Sequence, residues 1–233
     1  MKTDDLGGGW SRFTVLDPET QEFYNRYYYK RVKAHRVVID TPKAKALAAY
    51  TLIEKDLRSI LIWLNEIKEL LASDKVTAGK KGSQKTVHDR IRYNLVKGLF
   101  VASLTFYAKC FATCEGRRVK LERKNLSDEF QKHHDSIMET RHNFAAHSGA
   151  KQVERVHVVM ALDSKRRRGA VPFVTRELGQ PDSYSLESTE EFISLVSYVK
   201  GFVDQKVDIL NEKLLKDDIL TKTPEYWYKK LNK

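Results

Sequence analysis

Between Leu47 and Leu71 the apolar residues fall at Leu47, Tyr50, Leu57, Ile60, Leu61, Leu64, Ile67, Leu70 and Leu71, the three-and-four spacing of one helix face. Thr41 followed by Pro42 is a good N-cap and first-turn pair, so a long core helix is expected from there to about Ala72. The same spacing returns at Val87, Ile91, Leu95, Leu99, Ala102, Phe106, Cys110 and Phe111, in a second helix expected from about Lys85 to Glu115 and stopped at Gly116. The basic loop Asp74–Gln84, with Gly79 and Gly82, folds the two into an antiparallel hairpin. Ser127 caps a third expected helix, with Phe130, His134, Ile137, Met138, Phe144 and Ala145 or Ala146 as its stripe and Gly149 as its end. Ser188 or Thr189, with Glu190 and Glu191, opens a last long helix through Phe192, Leu195, Val196, Val199, Phe202, Val203, Val207, Leu210 and Leu214.

The period changes between the third and last helices. Val153, Val156, Val158, Val159 and Ala161 form a β-rich run to Leu162, and a second covers Ala170–Thr175 after the polar turn Asp163–Gly169. The expected fold is therefore mainly α: an up-down bundle of four or five helices with an inserted two-stranded β-hairpin at about 153–175, the helical domain spanning 41–220. An isolated hairpin is marginal, so this one should lie against the helices or beside another chain. Residues 1–40 read as an arm packing on the body, and 221–233 as a tail docked through Tyr226, Trp227 and Tyr228. In the arm, Phe23, Tyr24, Arg26, Tyr27, Tyr28, Tyr29, Lys30 and Arg31 are able to stack bases while pairing phosphates. Tyrosines at such mixed spacing more often mark a helix or strand packed onto the rest of the protein.

Composition narrows the classes. Hydrophobic residues make up 41% of 233 and charged residues 31%, enough apolar mass to exclude a disordered chain and consistent with one large domain. The longest apolar run, near Leu99–Leu104, is far short of the roughly 20 residues that cross a bilayer. Met1–Trp10 carries Asp4, Asp5 and Gly7–Gly9 where a secretory signal would place basic then apolar residues, so a cytoplasmic location is expected. Lys and Arg number 42 against 31 Asp and Glu, and the resulting +11 attracts polyanions. Cys110 and Cys114 lie within an apolar helical pattern and read as buried structural thiols. No phosphate-binding loop, dinucleotide fingerprint, serine elbow or cysteine nucleophile setting is present.

The informative stretch is Glu139-Thr140-Arg141-His142-Asn143-Phe144-Ala145-Ala146-His147-Ser148-Gly149, a polar cluster closing a helix that is otherwise core. On a regular helix Arg141 and His147 stand roughly 9 Å apart along the axis and about 120° around it, and they converge more easily if the helix unwinds near Ala146. Arginine offers a permanently charged fork that matches two phosphate oxygens, and histidine exchanges a proton near neutral pH. His142 and Asn143 are the next candidates, as a second proton-transfer group or as orienting hydrogen-bonders. The competing reading has Arg141 capping the helix or pairing with Glu139 or Asp135, and His147 capping the same end.

Arg141, five intervening residues and His147, with His142 directly after the arginine, resemble the arginine-x(4–6)-histidine motif of the HEPN superfamily. The order of two long helices, a shorter third bearing the motif and a final long helix resembles that family over roughly Thr41–Leu215. The resemblance implies a metal-independent endoribonuclease with Arg141, His147, His142 and Asn143 at the site. It implies no cofactor and no metal, and a homodimer that brings two motifs to one cleft. It further implies attack of the ribose 2′-OH to leave a 2′,3′-cyclic phosphate, and in prokaryotes a toxin or anti-phage effector with an antitoxin or regulatory protein as partner. RNA-backbone contacts are expected from Lys165, Arg166, Arg167 and Arg168 at the hairpin tip and from a second patch containing Arg117 and Arg118. No membrane partner is expected. The alternative is a non-catalytic helical module that binds nucleic acid or a nucleotide.

Overall fold

A computed structural model describes residues 3–77, 87–142, 155–179 and 185–231. The chain is mainly helical with small antiparallel sheets, and it divides into two compact units: Met1–Lys45 with Ile209–Lys233, and Ala46–Asp208.

In the larger unit, α1 (Pro42–Thr77), α2 (Val87–Phe111), α3 (Asp128–Arg141) and α4 (Leu186–Lys213) surround one core. Trp63 packs on Phe106 while Asp56 reaches Lys109, so α2 descends as α1 climbs. Lys68 pairs with Glu190 and Glu54 with Lys200, which makes α4 antiparallel to α1 as well. The core is built from Ile53, Leu57, Ile60, Leu64 and Ile67 of α1, Val96, Phe100, Leu104 and Tyr107 of α2, and Phe192, Leu195, Val196, Val199 and Val203 of α4. Tyr107 sits edge-on to Phe192 with ring centroids 5.5 Å apart.

The stripes expected for α1 and α4 are the ones that turn inward. The stripe expected for α2 turns inward only in part: Cys110 is buried and Leu99, Phe106 and Phe111 pack on the core, but Ile91 and Leu95 are 66% and 47% exposed, and Val96, Phe100, Leu104 and Tyr107, outside that stripe, are buried. That helix is apolar nearly all round from Leu95 to Phe111, so its period alone does not single out a face. Ser103 even takes a fully buried place by donating its hydroxyl to the Leu99 carbonyl at 2.8 Å. Two boundaries also moved. Ser185, not Ser188 or Thr189, caps α4, its Oγ accepting the Ser188 amide at 3.0 Å. α2 ends at Phe111, five residues before Gly116, whose φ of +76° serves the turn Cys114–Arg117 that follows.

That turn carries Arg117 into the interior. Its guanidinium donates to Asp56 Oδ2 at 2.6 Å, with Lys109 at 3.2 Å on the same oxygen and Lys55 at 3.2 Å on the other, and Asp56 is fully buried. Burial opposes the Asp56 charge, but the hydrogen bonds from Arg117, Lys55 and Lys109 outweigh it and hold the carboxyl below its ordinary range.

The hairpin expected near 153–175 is β5 (Arg155–Ala161) paired with β6 (Phe173–Gly179), Arg155 opposite Gly179 and Ala161 opposite Phe173. Val156, Val158, Met160 and Val174 share one face and are each more than half exposed.

The smaller unit holds a four-stranded antiparallel meander that the sequence pattern did not reveal: β1 (Thr3–Gly7), β2 (Trp10–Leu16), β3 (Phe23–Tyr29) and β4 (Val32–Lys33). Gly7, Gly8 and Gly9, all at positive φ, form the first turn. The tyrosines alternate: Tyr28 stacks edge-on with Phe13 on one face and Tyr29 leans on Trp10 on the other. With aromatics on both faces, the alternation of period two carries no polar contrast and is hard to read. Past α4, a π-helical stretch Leu214–Ile219 brings Asp218 to Lys43 at 2.7 Å, and α5 (Pro224–Tyr228) follows.

Arg117→Met strands a buried carboxylate and is expected to cost about 3 kcal/mol in urea unfolding, with a Asp56→Leu/Arg117→Met pair recovering much of the loss. Because the Asp56 pKa is depressed on folding, its contribution is fully present above the ordinary 3.8 and disappears as pH falls through the lower folded value. The Arg117→Met protein should show a flatter acid limb.

Candidate nucleic-acid interface

α3 starts after Ser127, with Asp128 and Glu129 in its first turn, where acidic side chains suit the helix dipole. Seven residues apart, His134 and Arg141 lie on nearly one face, yet they have different surroundings. His134 is buried, its Nδ1 sharing a hydrogen bond of 2.9 Å with the Tyr107 hydroxyl and its ring 4.4 Å from Phe111. Burial lowers its pKa and keeps the imidazole neutral. It is a core histidine.

Arg141 ends the helix half-buried, with Nε enclosed and without a hydrogen-bond partner among the described residues. Asp135, one of its expected partners, is taken by Arg123 through two contacts of 2.7 Å. His142 is the exposed C-cap, its amide donating to the carbonyls of Glu139 and Met138. Asn143 and His147 lie outside the described residues, as do Gly149 and most of the loop Asp74–Gln84. Of the expected motif, the described residues therefore hold only Arg141 and His142, consecutive in sequence at the end of α3.

The expected basic surfaces divide. Arg117 is not part of a surface patch: it is 8% exposed and bound to Asp56, because the turn after α2 directs it inward. Arg118, Lys120, Arg123 and Lys124 remain outside, with Arg123 held by Asp135 and Lys124 by Glu122. At the hairpin tip Lys165, Arg166, Arg167 and Arg168 are all exposed. Arg167 is partly neutralised by Asp163, which accepts its Nε at 2.9 Å and also its backbone amide. Lys165, Arg166 and Arg168 are left to meet an anion, and Arg166 sits at φ +49° on the bend itself.

Cys110 is fully buried and burial pushes its thiol up to about 12, so it is inert as a nucleophile. Cys114 is half-buried. Among the described residues no group of three or more His, Cys, Asp or Glu is arranged to hold a metal ion, and no helix is long and apolar enough to cross a membrane.

A further basic surface lies in the smaller unit: the sequence reading named Tyr24, Arg26 and Tyr27 of the arm as able to stack bases and pair phosphates, but favoured packing and did not include Lys33, His35 or Arg36. Arg26, Lys33, His35 and Arg36 line an open cleft of about 760 Å³ together with Tyr24, Tyr27 and Tyr228. A signal was available: residues 23–39 include Arg26, Lys30, Arg31, Lys33 and Arg36 and no acidic residue.

Compared with protein-family models, with curated proteins and with solved structures, the chain matches none.

Replacing Arg166 and Arg168 by Ala together should weaken binding of single-stranded RNA and lower the slope of log affinity on log salt by about 1.4, at about 0.7 per phosphate contact. An unchanged slope would remove the tip from the interface. His134 should titrate by NMR below the ordinary 6.5, and a midpoint at or above that value would contradict its placement in the core.

Proposed function

We propose that this protein binds RNA and cleaves it without a metal, as an endoribonuclease of HEPN type. The observation that carries the reading is the position of Arg141 and His142 at the C-terminal end of α3, the short helix of a bundle otherwise made of three long ones. Arg141 is half-buried at that end and its Nε has no hydrogen-bond partner among the described residues, which supports a guanidinium available to a ligand.

The chemistry needs three contributions. A base takes the proton of the ribose 2′-OH, the O2′–P bond forms as the P–O5′ bond breaks, and an acid returns a proton to O5′. The products are a 2′,3′-cyclic phosphate and a 5′-hydroxyl. Arg141 offsets charge on the phosphorane-like transition state, and its planar donors fit two phosphate oxygens. His147 is the proposed base or acid, and His142 and Asn143 supply the second proton transfer or orient the phosphate. A homodimer would set a second motif opposite the first and provide a second histidine. Within this reading the protein is a cytoplasmic toxin or anti-phage effector, held in check by an antitoxin or regulatory protein.

A non-catalytic nucleic-acid module is the second reading. It is favoured by the hairpin tip and the cleft of the smaller unit, where cations are gathered without the motif.

Incubation of the full chain with mixed single-stranded RNAs in excess chelator tests the two. Cleavage leaving cyclic phosphate ends, reduced about 10²–10³-fold by Arg141→Ala and about 10²–10⁴-fold by His147→Ala with binding retained, is the expected outcome. Equal inertness of the wild type and both variants toward every RNA would leave the binding module standing.

A further inference from the structure

The cleft of the smaller unit arises from the way the four-stranded sheet ends. β4 pairs only with Tyr28 and Tyr29, and one more bond, from the Ala34 amide to the Tyr27 carbonyl at 2.8 Å, closes the ladder. Beyond it the chain leaves the sheet, and residues 33–36 line an opening together with the middle of β3 and with Tyr228 and Leu231 from the C-terminal end. His35 stands edge-on to Tyr228 with ring centroids 6.2 Å apart, so this wall is aromatic and belongs to both ends of the chain.

Its charge is of one sign. Arg26, Lys33 and Arg36 carry fixed positive charge, and among the described residues no carboxylate lines the cleft. Arg26 is steadied by the Tyr24 hydroxyl, which accepts from its Nη2 at 2.6 Å and its Nε at 3.2 Å. Arg26 also lines a second opening of about 470 Å³, with Tyr28, Phe13 and Arg31. The positive track therefore continues across the sheet from Arg36 to Arg31. The turn joining β3 to β4 is built from Lys30 and Arg31, at φ +45° and +69°, positions where Asn and Gly are the usual occupants. Two cations are thus kept at a turn that does not favour them.

A volume of this order suits a small ligand, and cations interleaved with tyrosine faces are the recognition chemistry of a phosphate joined to a planar base. We propose that this cleft binds a nucleoside phosphate, as a free nucleotide or as one unit of a single strand, with Lys33 and Arg36 pairing the phosphate and the rings of Tyr24 and Tyr228 contacting the base. This site is separate from the α3 chemistry: Arg141 takes no part in it, and it stands whether or not the protein cuts RNA.

The test uses the full chain and a fluorescent 2′-O-methyl oligonucleotide, which has no free 2′-OH and cannot be cleaved. Lys33→Ala/Arg36→Ala should weaken binding roughly tenfold and Tyr228→Ala roughly five- to tenfold, while Arg58→Ala, which removes an exposed cation of α1, leaves it within about twofold. All of these side chains are exposed or at a helix end, and an unchanged thermal midpoint checks folding. Adenosine monophosphate should displace the probe at concentrations where inorganic phosphate and polyglutamate, at matched ionic strength, do not. If it competes as well as an unlabelled strand, the ligand is a free nucleotide; if the strand is at least about tenfold tighter, it is a nucleic acid. Binding of the probe that is unaffected by the Lys33/Arg36 and Tyr228 changes, or displacement by phosphate or polyglutamate as effective as by the nucleotide, overturns the proposal. Because the probe is inert, loss of RNA cleavage in other assays would bear on the α3 reading alone.

Discussion

A single buried carboxylate organises the larger unit. Asp56 sits fully enclosed in α1, where an unpaired charge would be intolerable, and three cations from α1, from α2 and from the turn after α2 answer it. The turn is bent tightly enough to deliver Arg117 because Gly116 adopts a conformation that side chains resist. Since α3 starts eleven residues after Arg117, the pair limits where the third helix can start. Leu121 continues the anchoring, donating its amide to the Cys110 carbonyl at 2.9 Å while its side chain enters the core.

The positive surplus of the chain is consequently not a uniform coat. Arg117 is consumed in the interior, Arg123 is clasped by Asp135 on the flank of α3, and Arg167 is partly neutralised at the hairpin tip. Exposed pairs of the last two kinds contribute little to stability, but they change what remains for a ligand. Among the described residues, exposed cations remain at the tip of the hairpin, at Arg118 and Lys120, and along the sheet of the smaller unit. On α3 the same sorting acts on the histidines: Tyr107 draws His134 into the core, and His142 stays at the helix end.

Much of the bundle was legible because α1 and α4 keep one apolar face over many turns. Their buried residues, from Leu57 to Ile67 and from Phe192 to Val203, follow the spacing written in the sequence. α2 was legible as a helix but only partly in its orientation: Leu99, Phe106, Cys110 and Phe111 do meet the core, but residues such as Leu95 and Val96 are equally apolar and only the neighbours choose between them. The meander of Thr3–Lys33 was hidden for a related reason: Phe13, Tyr28, Trp10 and Tyr29 give both faces of the sheet the same character. Arg141 ends α3 eight residues before the expected stop at Gly149, which lies outside the described residues, whereas Arg117 looked like any other surface arginine, its partner lying 61 positions earlier in the chain.

Local chemistry along the chain was enough to define where helices and the β5–β6 hairpin form and that the protein carries a large positive charge, because spacing, caps and composition act over one or two turns. Which arginine is buried, which face of α2 turns inward, and that Lys33, Arg36 and Tyr228 meet in one cleft were decided only on folding. Each depends on groups far apart in sequence, and no local pattern encodes the position of a distant partner.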